Sequence, residues 1–498
     1  MERRKGFTER DRAVVYKELK NFIDENKIKI DENVLVTYAF DSSPTPFSKP
    51  SFVILPKTRD EVVHTLIIAN KYKIPVTVMS GGINVSGHCV PSEEGIVLDL
   101  RDMDRILEIN TSSNYAVIEP GVIFDRLTAA LAGKGYRCHI PTAPGGATPL
   151  GNYLLKPSGS LSTRHLDSIL DLEVVMPDGT VVNTGSSQFP GVGNFLRYGP
   201  LPDLSGLFCC AYGTLGIVTK ASIRIYPINE STKINISAFE NYTASVDFVK
   251  DLINHNVCEH CIIWSWGHYR SYEITFPEEM KSHTNPTEPP ENIPYNIVTT
   301  FISGYEEMTT LNEEICAKVA KKYGGRVLSE EEIELLLPTA HSSWTEFYKD
   351  YRQPRMEGAK KFGMGRYLAW IVHAEPKDIV NLERWALGKL HDIGVNPICY
   401  YSMPFDFGRS MFFRLFTYIK PENKELINKA QRTFKEMYDI AITRYKAIPL
   451  RYRYGADWLG SIGQYYNLLR KIKNAIDPNN ILNPNLKLFG EVENEDSK

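Results

Sequence analysis

The residues best suited to hold a ligand lie in residues 76–87, VTVMSGGINVSG, where an apolar segment stops at Ser80-Gly81-Gly82. Consecutive backbone N–H groups in a glycine-rich turn can form a concave nest for an anion, and glycine lets a phosphate approach closely. A glycine loop that opens a helix would indicate a Rossmann or P-loop site. Here the loop leads through residues 88–91 into a second strand, so the pattern indicates an anion nest of another kind or a plain turn.

One cysteine spacing is typical of a metal or redox site, Cys258-x-x-Cys261, with His260 between the two residues. A zinc site needs a second pair of ligands nearby, and none follows in the sequence. We therefore expect structural cysteines and no bound metal. The eight cysteines are scattered along the chain, which fits a reducing compartment and favours a cytoplasmic location.

The overall composition narrows the class of partner. The chain has 498 residues, of which 43% are hydrophobic, and this length predicts two or three domains. Its 57 basic and 60 acidic residues leave a net charge of −3, so nothing indicates binding to nucleic acid or to a membrane surface. We find neither a secretory signal nor a run of 18 apolar residues, so no membrane span is predicted.

The first glycine loop needs a scaffold, and the surrounding pattern predicts one. Residues 51–56 read SFVILP and predict a strand, and Thr58-x-x-Glu61 is a capping box that opens a helix. Strands are expected at residues 75–79, 95–100, 106–109 and 115–119, followed by a helix at 123–134. This order favours an α+β fold with hairpins over regular βαβ units.

A second loop and two changes in the sequence pattern indicate how the rest of the chain is divided into domains. Residues 139–165 are rich in Gly, Pro, Ser and Thr, and a loop of this length in a domain is usually functional. It holds a second double glycine, Gly145-Gly146, and then Gly151-Asn152. The character of the sequence changes near residue 229 and again near residue 446. We expect domain boundaries there, which divide the chain into residues 1–228, 229–446 and 447–498.

Several motifs are weak one by one, but their order along the chain is a specific signature of a protein family. They are the glycine loop after Pro75, VLDL at 97–100, IEPGV at 118–122, GGATPLGN at 145–152, LEVVMPDG at 172–179, GTLGIV at 213–218 and DPNNILNP at 477–484. In this order they resemble the FAD-linked oxidases of the vanillyl-alcohol oxidase/p-cresol methylhydroxylase (PCMH) superfamily. The resemblance covers about residues 45–228 and 445–488.

The resemblance implies a fold and a cofactor. The fold is a two-part PCMH-type FAD-binding domain with an inserted α+β cap domain that closes over the flavin. The pyrophosphate of FAD would lie on the first glycine loop, the second double-glycine segment would pass beneath the flavin, and the tail would close the site. The implied cofactor-binding residues are Ser80, Gly81, Gly82, Ile83, Asn84, Val85, Ser86, Pro144, Gly145, Gly146, Thr148, Gly151, Asn152, Gly216, Ile217, Val218 and Asn483.

The phenol-oxidising branch of the superfamily has a Tyr-Arg pair ahead of the final helix, and this chain has Tyr452-Arg453 there. A para-substituted phenol that loses hydride from its benzylic carbon reacts more readily when its oxygen is ionised. Tyrosine hydroxyls and a guanidinium can bind that oxyanion and lower its pKa. Tyr401 and Arg414 in the cap are further pocket candidates.

The acid–base residue of that branch would fall near Arg164 and His165, where the nearest carboxylate is Asp167. An Arg-His pair beside a flavin could instead bind an anionic substrate, so a D-2-hydroxy-acid dehydrogenase remains an alternative. Against it, the cap and tail lack the histidines that many such enzymes carry.

A flavin-carrying electron-transfer subunit is the alternative of another class. The sequence does not identify the electron acceptor. A homodimer is common in similar proteins. Some relatives bind FAD covalently through a cap residue, and Tyr367 is the cap residue nearest to that position.

Overall fold

The computed structural model describes residues 9–486 except residues 42, 44, 84, 85, 93, 142, 157–166, 274–286, 338–365, 397 and 451–461. Its strands are β1 Ile28–Lys29, β2 Phe52–Ile54, β3 Val76–Met79, β4 Ile96–Asp99, β5 Ile106–Asn110, β6 Tyr115–Ile118, β7 Tyr136–Cys138, β8 Ile169–Val175, β9 Val181–Asn183, β10 Ile217–Pro227, β11 Ser231–Phe239, β12 His260–Ser265, β13 Asn296–Gly304, β14 Arg326–Val327, β15 Arg366–Ala374, β16 Cys399–Phe405, β17 Ser410–Ile419 and β18 Ile448–Pro449.

Helices and several sheets are mixed in the structure, so the α+β fold class predicted from the sequence is confirmed. The helices are α1 Glu9–Leu19, α2 Glu32–Thr37, α3 Arg59–Tyr72, α4 Phe124–Ala132, α5 Pro149–Tyr153, α6 Ser205–Phe208, α7 Tyr242–Asn254, α8 Trp266–Glu273, α9 Glu306–Lys322, α10 Glu330–Leu336, α11 Pro376–Asp392, α12 Lys424–Tyr445 and α13 Gly463–Ile476.

A four-stranded sheet in the order β1-β2-β4-β3 carries the first glycine loop. Strand β4 pairs in parallel with both β2 and β3, and α3 makes the crossover between β2 and β3. The prediction of hairpins rather than βαβ units was therefore wrong for this part of the chain. Sequence order alone could not reveal that β4 inserts between β2 and β3, because that position depends on packing across the whole sheet.

Helix α3 begins where local chemistry predicts. The side chain of Thr58 accepts the N–H of Glu61, and the Glu61 side chain accepts the N–H of Thr58, which is the expected capping box. Its buried residues Val62 and Leu66 pack with Phe52 and Leu98 of the sheet. This packing fixes the strand ends from which the glycine loop departs.

A second sheet has the order β5-β6-β10-β8-β9, with β7 also paired to β10, and its pairs are antiparallel. Strand β7 and helix α5 lie in the region where the sequence predicted a helix end and a long loop. Helix α5 starts with Pro149 at its first turn, a position that proline tolerates well. The glycine and proline residues in this segment masked the apolar periodicity from which a helix could have been predicted.

The third sheet has eight strands in the order β14-β11-β13-β12-β16-β17-β15-β18. One face packs on helices: the Trp370 ring lies 6.2 Å from Trp385 of α11 and 5.6 Å from Tyr438 of α12. Side chains alternate along a strand, so Tyr367 of β15 points to the opposite face. A buried bidentate ion pair, Arg137 to Glu259 at 2.7 and 2.6 Å, ties β7 of the second sheet to this third sheet.

The C-terminal segment returns to the first sheet. Val76 and Leu482 form a parallel bridge, with Val76 N–H donating to Ile481 O at 2.7 Å and Asn483 N–H donating to Val76 O at 2.8 Å. Ile481 and Leu482 are fully buried in the same apolar cluster as α3. Residues about 400 positions apart in the chain therefore share one core.

Asp171 of β8 gives a test of stability against pH. The side chain is fully buried, and this burial raises its pKa from the ordinary 3.8 to about 7, against the opposing effect of Lys220. A carboxyl group with a raised pKa in the folded state stabilises the fold when protonated, so its contribution falls as pH rises from about 4 to about 7. We expect Asp171→Asn to gain about 2–4 kcal/mol over the native chain at pH 7.5 and little at pH 4, measured by chemical denaturation.

The exposed Asp247→Asn serves as the control for the Asp171 prediction, since its carboxylate lies on the outer side of α7. If Asp171→Asn shows the same difference from the native chain at both pH values, the buried carboxyl group does not carry the expected proton linkage.

Candidate functional site

A cleft of about 220 Å³, open to solvent, lies between the first glycine loop and the segment at 147–155, with the 208–218 segment also contributing to its walls. It is lined by Val78, Met79, Ser80, Gly81, Gly82, Ile83, Ser86, His88, Cys89, Leu100, Pro120, Ala147, Thr148, Leu150, Gly151, Asn152, Leu154, Leu155, Phe208, Tyr212, Gly213, Gly216 and Val218. Three separate loops of the first 228 residues thus meet at one surface.

The two glycine segments are joined side by side. The hydroxyls of Ser80 and Thr148 lie 2.8 Å apart in a hydrogen bond. A Cβ atom at Gly151 would lie 2.9 Å from Thr148 Oγ1 and 3.0 Å from Ser80 Oγ, so a larger residue would displace this pair. The glycine at position 151 is therefore required by close packing of the two loops.

The far end of the first loop is fixed from the N-terminal segment. Gly87 N–H donates to Asp41 Oδ2 at 2.8 Å, and the backbone of Gly87 has a φ of +80°. A Cβ atom there would lie 1.9 Å from Thr45 Oγ1, so both the conformation and the space exclude other residues.

Asn483 joins two walls of the cleft. Its Nδ2 donates to the carbonyls of Tyr212 at 2.9 Å and His88 at 3.3 Å, and the side chain is buried. The His88 and Tyr212 rings pack against each other, with centroids 4.5 Å apart. Tyr212 has a φ of +52° and Asn483 a φ of +44°, so the chain holds unfavourable backbone conformations at this junction. Strain of this kind is typical of functional sites.

The lining suits a long ligand that carries phosphate. Among the described residues that form it, none is Lys, Arg, Asp or Glu. A diphosphate in this cleft would be held by backbone N–H groups of the glycine segments, which can bind anions without a cationic side chain. The apolar residues of the lining would cover flat rings.

The sequence-predicted cofactor residues fall into three groups. Ser80, Gly81, Gly82, Ile83, Ser86, Thr148, Gly151, Asn152, Gly216 and Val218 line the cleft. Asn84 and Val85 lie outside the described residues. The others sit behind the lining: Pro144 accepts Ala147 N–H, Gly145 faces Asp125, Gly146 lies beside Ile83, Ile217 is in the core, and Asn483 clamps the walls.

A second polar centre occupies the third sheet, on the face opposite the helices. Arg414 and Tyr401 are direct partners across β17 and β16, and Arg414 Nη1 donates to Tyr401 Oη at 2.9 Å. The guanidinium also lies 5.3 Å from the centre of the Tyr367 ring. Trp264 and His268 stack beside Tyr401, with their ring centroids 4.8 Å apart. The structure thus brings together the two pocket residues predicted in the cap.

The charge of Arg414 has no ordinary counterion in the part of the chain that the structure describes. No carboxylate there pairs with it, and its buried Nε has no hydrogen-bond partner. Burial opposes the charge, but Tyr367 and Tyr401 hold the pKa of the guanidinium above its ordinary value. A cation left without a carboxylate in an aromatic setting is well placed for an anionic ligand.

The residues predicted for catalysis, Tyr452, Arg453, Arg164 and His165, lie outside the described residues. Asp167, the nearest carboxylate to Arg164, is described and is fully engaged. It binds Lys156 Nζ, Arg197 Nη1 at 2.8 Å and Tyr198 Oη at 2.9 Å. Its pKa is lowered because these donors outweigh the effect of burial. An ionised carboxylate with three partners is a poor proton acceptor.

Comparison with known proteins connects this geometry to a family. Residues 50–185 match the family model described as "FAD binding domain". The 4-cresol dehydrogenase [hydroxylating] flavoprotein subunit of Pseudomonas putida is 24% identical over 96% of each chain. The crystal structure of p-cresol methylhydroxylase with substrate bound superposes with a TM-score of 0.82 at 21% identity, covering 99% of both chains. The chain is an FAD-dependent oxidoreductase, and it has the PCMH-type fold.

The same comparisons relate this FAD-linked oxidoreductase to hydroxy-acid enzymes over a shorter stretch. The glycolate oxidase subunit GlcD of Bacillus subtilis (strain 168) is 32% identical over 241 residues, 47% of this chain. The matched part spans about half the length of GlcD. The predicted resemblance, fold class and cofactor are all confirmed. The two-part FAD-binding domain with its inserted cap is the PCMH-type arrangement.

The cleft residues of the FAD-linked oxidoreductase fit its cofactor, because the glycine segments offer backbone donors for two phosphates and the apolar lining suits flat rings. When bound, FAD supplies a hydride acceptor. Among the described helices, none is long and apolar enough to cross a membrane.

Sequence reasoning missed His88 and Tyr212, which the cleft brings together. Tyr212 lies one residue before the GTLGIV motif, and His88 lies two residues after Ser86. The signal that could have found them is this adjacency to predicted motifs. Asn483 donates to the backbone carbonyls of both residues, and the sequence places it nearly 400 residues after His88.

The packing of the two glycine segments gives a prediction about cofactor affinity. Gly151→Ala places a methyl group against the Ser80–Thr148 hydrogen bond, so we expect FAD to bind about tenfold more weakly, a loss of about 1.4 kcal/mol. Titration of the apoprotein with FAD, followed by flavin fluorescence, measures this. Gly388→Ala in α11 is the control, since no atom lies within 4 Å of its Cβ position. Equal affinities in the two variants would contradict the prediction.

Proposed function

We propose that this protein removes hydride from a C–H bond of a para-substituted phenol or aromatic alcohol. The observation that carries the proposal is the Arg414–Tyr401–Tyr367 group. It is a half-buried cation that donates to the Tyr401 hydroxyl and lies over the Tyr367 ring, with no carboxylate partner among the described residues. Such a group favours the ionised form of a phenol, because a positive charge and hydroxyl donors lower the pKa of the phenol oxygen.

The proposed role of the chain is to bind and orient. Arg414 and Tyr401 hold the phenolate oxygen, and the neighbouring rings of Trp264 and Phe412 cover the aromatic ring. Ionisation of the phenol makes loss of hydride from the benzylic carbon easier, since the product is a neutral quinone methide. Tyr452 and Arg453 are proposed to contact the same oxygen, and Arg164 and His165 to serve in proton transfer.

Full-length similarity supports the phenol over other substrates. The relative that covers 96% of this chain acts, by its name, on 4-cresol, and the superposed structure is that of p-cresol methylhydroxylase. Both alignments extend through the third sheet, where Arg414 lies. Residues 229–446 are therefore proposed as the substrate-binding cap, between FAD-binding residues 1–228 and the closing segment 447–498.

A D-2-hydroxy-acid dehydrogenase is the second candidate, supported by the 32% identity to GlcD over about half of this chain. In that case Arg414 would bind the substrate carboxylate, and a base would take the hydroxyl proton. The alignment to GlcD covers only 47% of the chain, so it gives less support for the substrate than for the cofactor.

The electron acceptor is a separate part of the proposal. The name of the Pseudomonas putida relative, a flavoprotein subunit, favours transfer of electrons to a partner protein over a simple oxidase. A cytoplasmic location is proposed on the cysteine content. A flavin-carrying subunit without its own substrate remains the alternative of another class.

Anaerobic reduction of the FAD-loaded protein tests these candidates. We expect 4-ethylphenol or 4-cresol to bleach the flavin absorption, with D-lactate and D-mandelate leaving it unchanged. Bleaching by D-lactate alone would replace the phenol proposal with the hydroxy-acid candidate. Bleaching by neither substrate class, in a protein that dithionite reduces normally, would favour the electron-transfer subunit.

A further inference from the structure

Arg101 lies beside the first glycine loop because of the way the first sheet is paired. Strands β3 and β4 are parallel neighbours, and their last residues, Met79 and Asp99, are direct partners. The carboxyl ends of parallel neighbours lie at one edge of a sheet, which is where open sheets of this kind bind ligands. Arg101 follows β4 by two residues and therefore comes level with the loop that follows Met79.

Buried Asp99 fixes the inner end of the Arg101 side chain. Its Oδ2 accepts hydrogen bonds from Arg101 Nε at 2.6 Å and Tyr38 Oη at 2.9 Å, and its Oδ1 accepts one from the backbone N–H of Arg101 at 3.1 Å. The guanidinium also lies over the Tyr38 ring, with Cζ 5.9 Å from the ring centre. These contacts restrict the orientation of the side chain, so less conformational entropy is lost when it binds a ligand.

The outer end of the same guanidinium faces the glycine loop with its donors unused. Among the residues that the structure describes, neither Nη1 nor Nη2 of Arg101 has a hydrogen-bond partner. Nη2 lies 4.0 Å from the position that a Cβ atom at Gly82 would occupy. Gly82 lines the cleft, and the Arg101 side chain is 51% exposed. Two donors of one planar group thus lie at the open side of the anion nest.

We propose that Arg101 binds the diphosphate of FAD through its two Nη groups, together with the backbone donors of the first glycine loop. The paired donors of a guanidinium match two oxygens of one phosphate, and such charged hydrogen bonds are stronger than neutral ones. None of the described residues that line the cleft is Lys or Arg, so Arg101 adds a positive charge that the lining does not supply. The inference concerns the cofactor and does not depend on the proposed phenol substrate.

The affinity of the apoprotein for FAD, measured by flavin fluorescence, tests this. Arg101→Met is expected to raise the FAD dissociation constant about 10–100-fold, the loss typical of hydrogen bonds to a charged group. Arg101→Lys keeps the charge but lacks the Nε that Asp99 binds, so we expect an intermediate constant. Arg126→Met is the control, because the Arg126 side chain is also 51% exposed but pairs with Asp104 and does not line the cleft.

Phosphorus NMR of bound FAD separates a contact with the diphosphate from a general loss of packing. At saturating FAD, we expect the phosphorus resonances in Arg101→Met to differ from those in the native protein, and those in Arg126→Met to coincide with them. The apo forms of the native chain and Arg101→Met are expected to unfold within about 1 °C of each other.

Three results would overturn the role of Arg101. They are an FAD dissociation constant for Arg101→Met within about twofold of the native value, equal weakening by Arg126→Met, and phosphorus resonances that coincide with the native ones. Loss of FAD together with a lower melting temperature of the apo form would also overturn it, since Arg101 would then be a structural residue.

Discussion

Arg414→Met is expected to slow anaerobic reduction of the flavin by about 10²–10³-fold while FAD content stays that of the native protein. The reason is that removal of one preorganised partner of a developing or bound oxyanion typically costs that much. Among the described residues, Arg414 supplies the positive charge of the Arg414–Tyr401–Tyr367 group, and its Nη1 donates a hydrogen bond to Tyr401 Oη. Stopped-flow spectroscopy at the flavin bands measures the rate, and the absorbance ratio of flavin to protein measures the FAD content.

Two further variants separate binding of the oxyanion from simple packing. Arg414→Lys keeps the charge and loses the planar fork, so we expect a partial loss. Tyr401→Phe removes one hydroxyl and is expected to slow reduction by about tenfold, with a rise in the apparent pKa of the bound phenol. Arg409→Met, at an exposed turn, is the control. If Arg414→Met loses FAD in proportion to activity, the residue is structural.

Lys473→Met is expected to lower stability by about 3–5 kcal/mol, or on the order of 5 °C in thermal unfolding, because it leaves a buried carboxylate without its cation. Lys473 is buried on α13 and donates to Asp477 Oδ2 at 2.6 Å, Thr214 O at 2.8 Å and Leu482 O at 3.2 Å. One ammonium group therefore satisfies a carboxylate and two carbonyls from separate segments. Differential scanning fluorimetry measures the change.

The same variant should weaken FAD binding, since Lys473 holds the tail that carries Asn483 against the walls of the cleft. We expect apoprotein to accumulate on purification of Lys473→Met. Lys471→Met, two residues away on the exposed side of α13, is the control. A melting temperature within 1 °C of the native value would show that the buried pair contributes little.

Features that depend on neighbouring residues were predictable from the sequence. The capping box of Thr58 and Glu61 formed as expected, because all of its atoms lie within four residues. The glycine segments at 80–82 and 151–152 line one cleft, as the ordered motifs implied. Helix α5 was not predicted, because it is short and Pro149 and Gly151 interrupt the apolar periodicity that would indicate a helix.

Features that depend on sheet order were not predictable from the sequence. Strand β4 lies between β2 and β3, and no local pattern sets that position. His88 and Tyr212 meet at a junction where Asn483 binds the carbonyls of both, and these three residues are far apart in the sequence. Tyr401 and Arg414 were named separately, and their direct pairing follows from the register of β16 and β17.

The position of Asn483 has a consequence for biosynthesis. It lies 406 residues after Thr77, whose strand it joins, so a ribosome that adds about 5–20 residues per second needs tens of seconds to deliver it. During that interval the nascent polypeptide exposes the apolar residues that Ile481 and Leu482 later cover. The cleft for the flavin nucleotide also lacks the Asn483 side chain that joins two of its walls. We therefore expect FAD to bind only after the C-terminal segment has been synthesised.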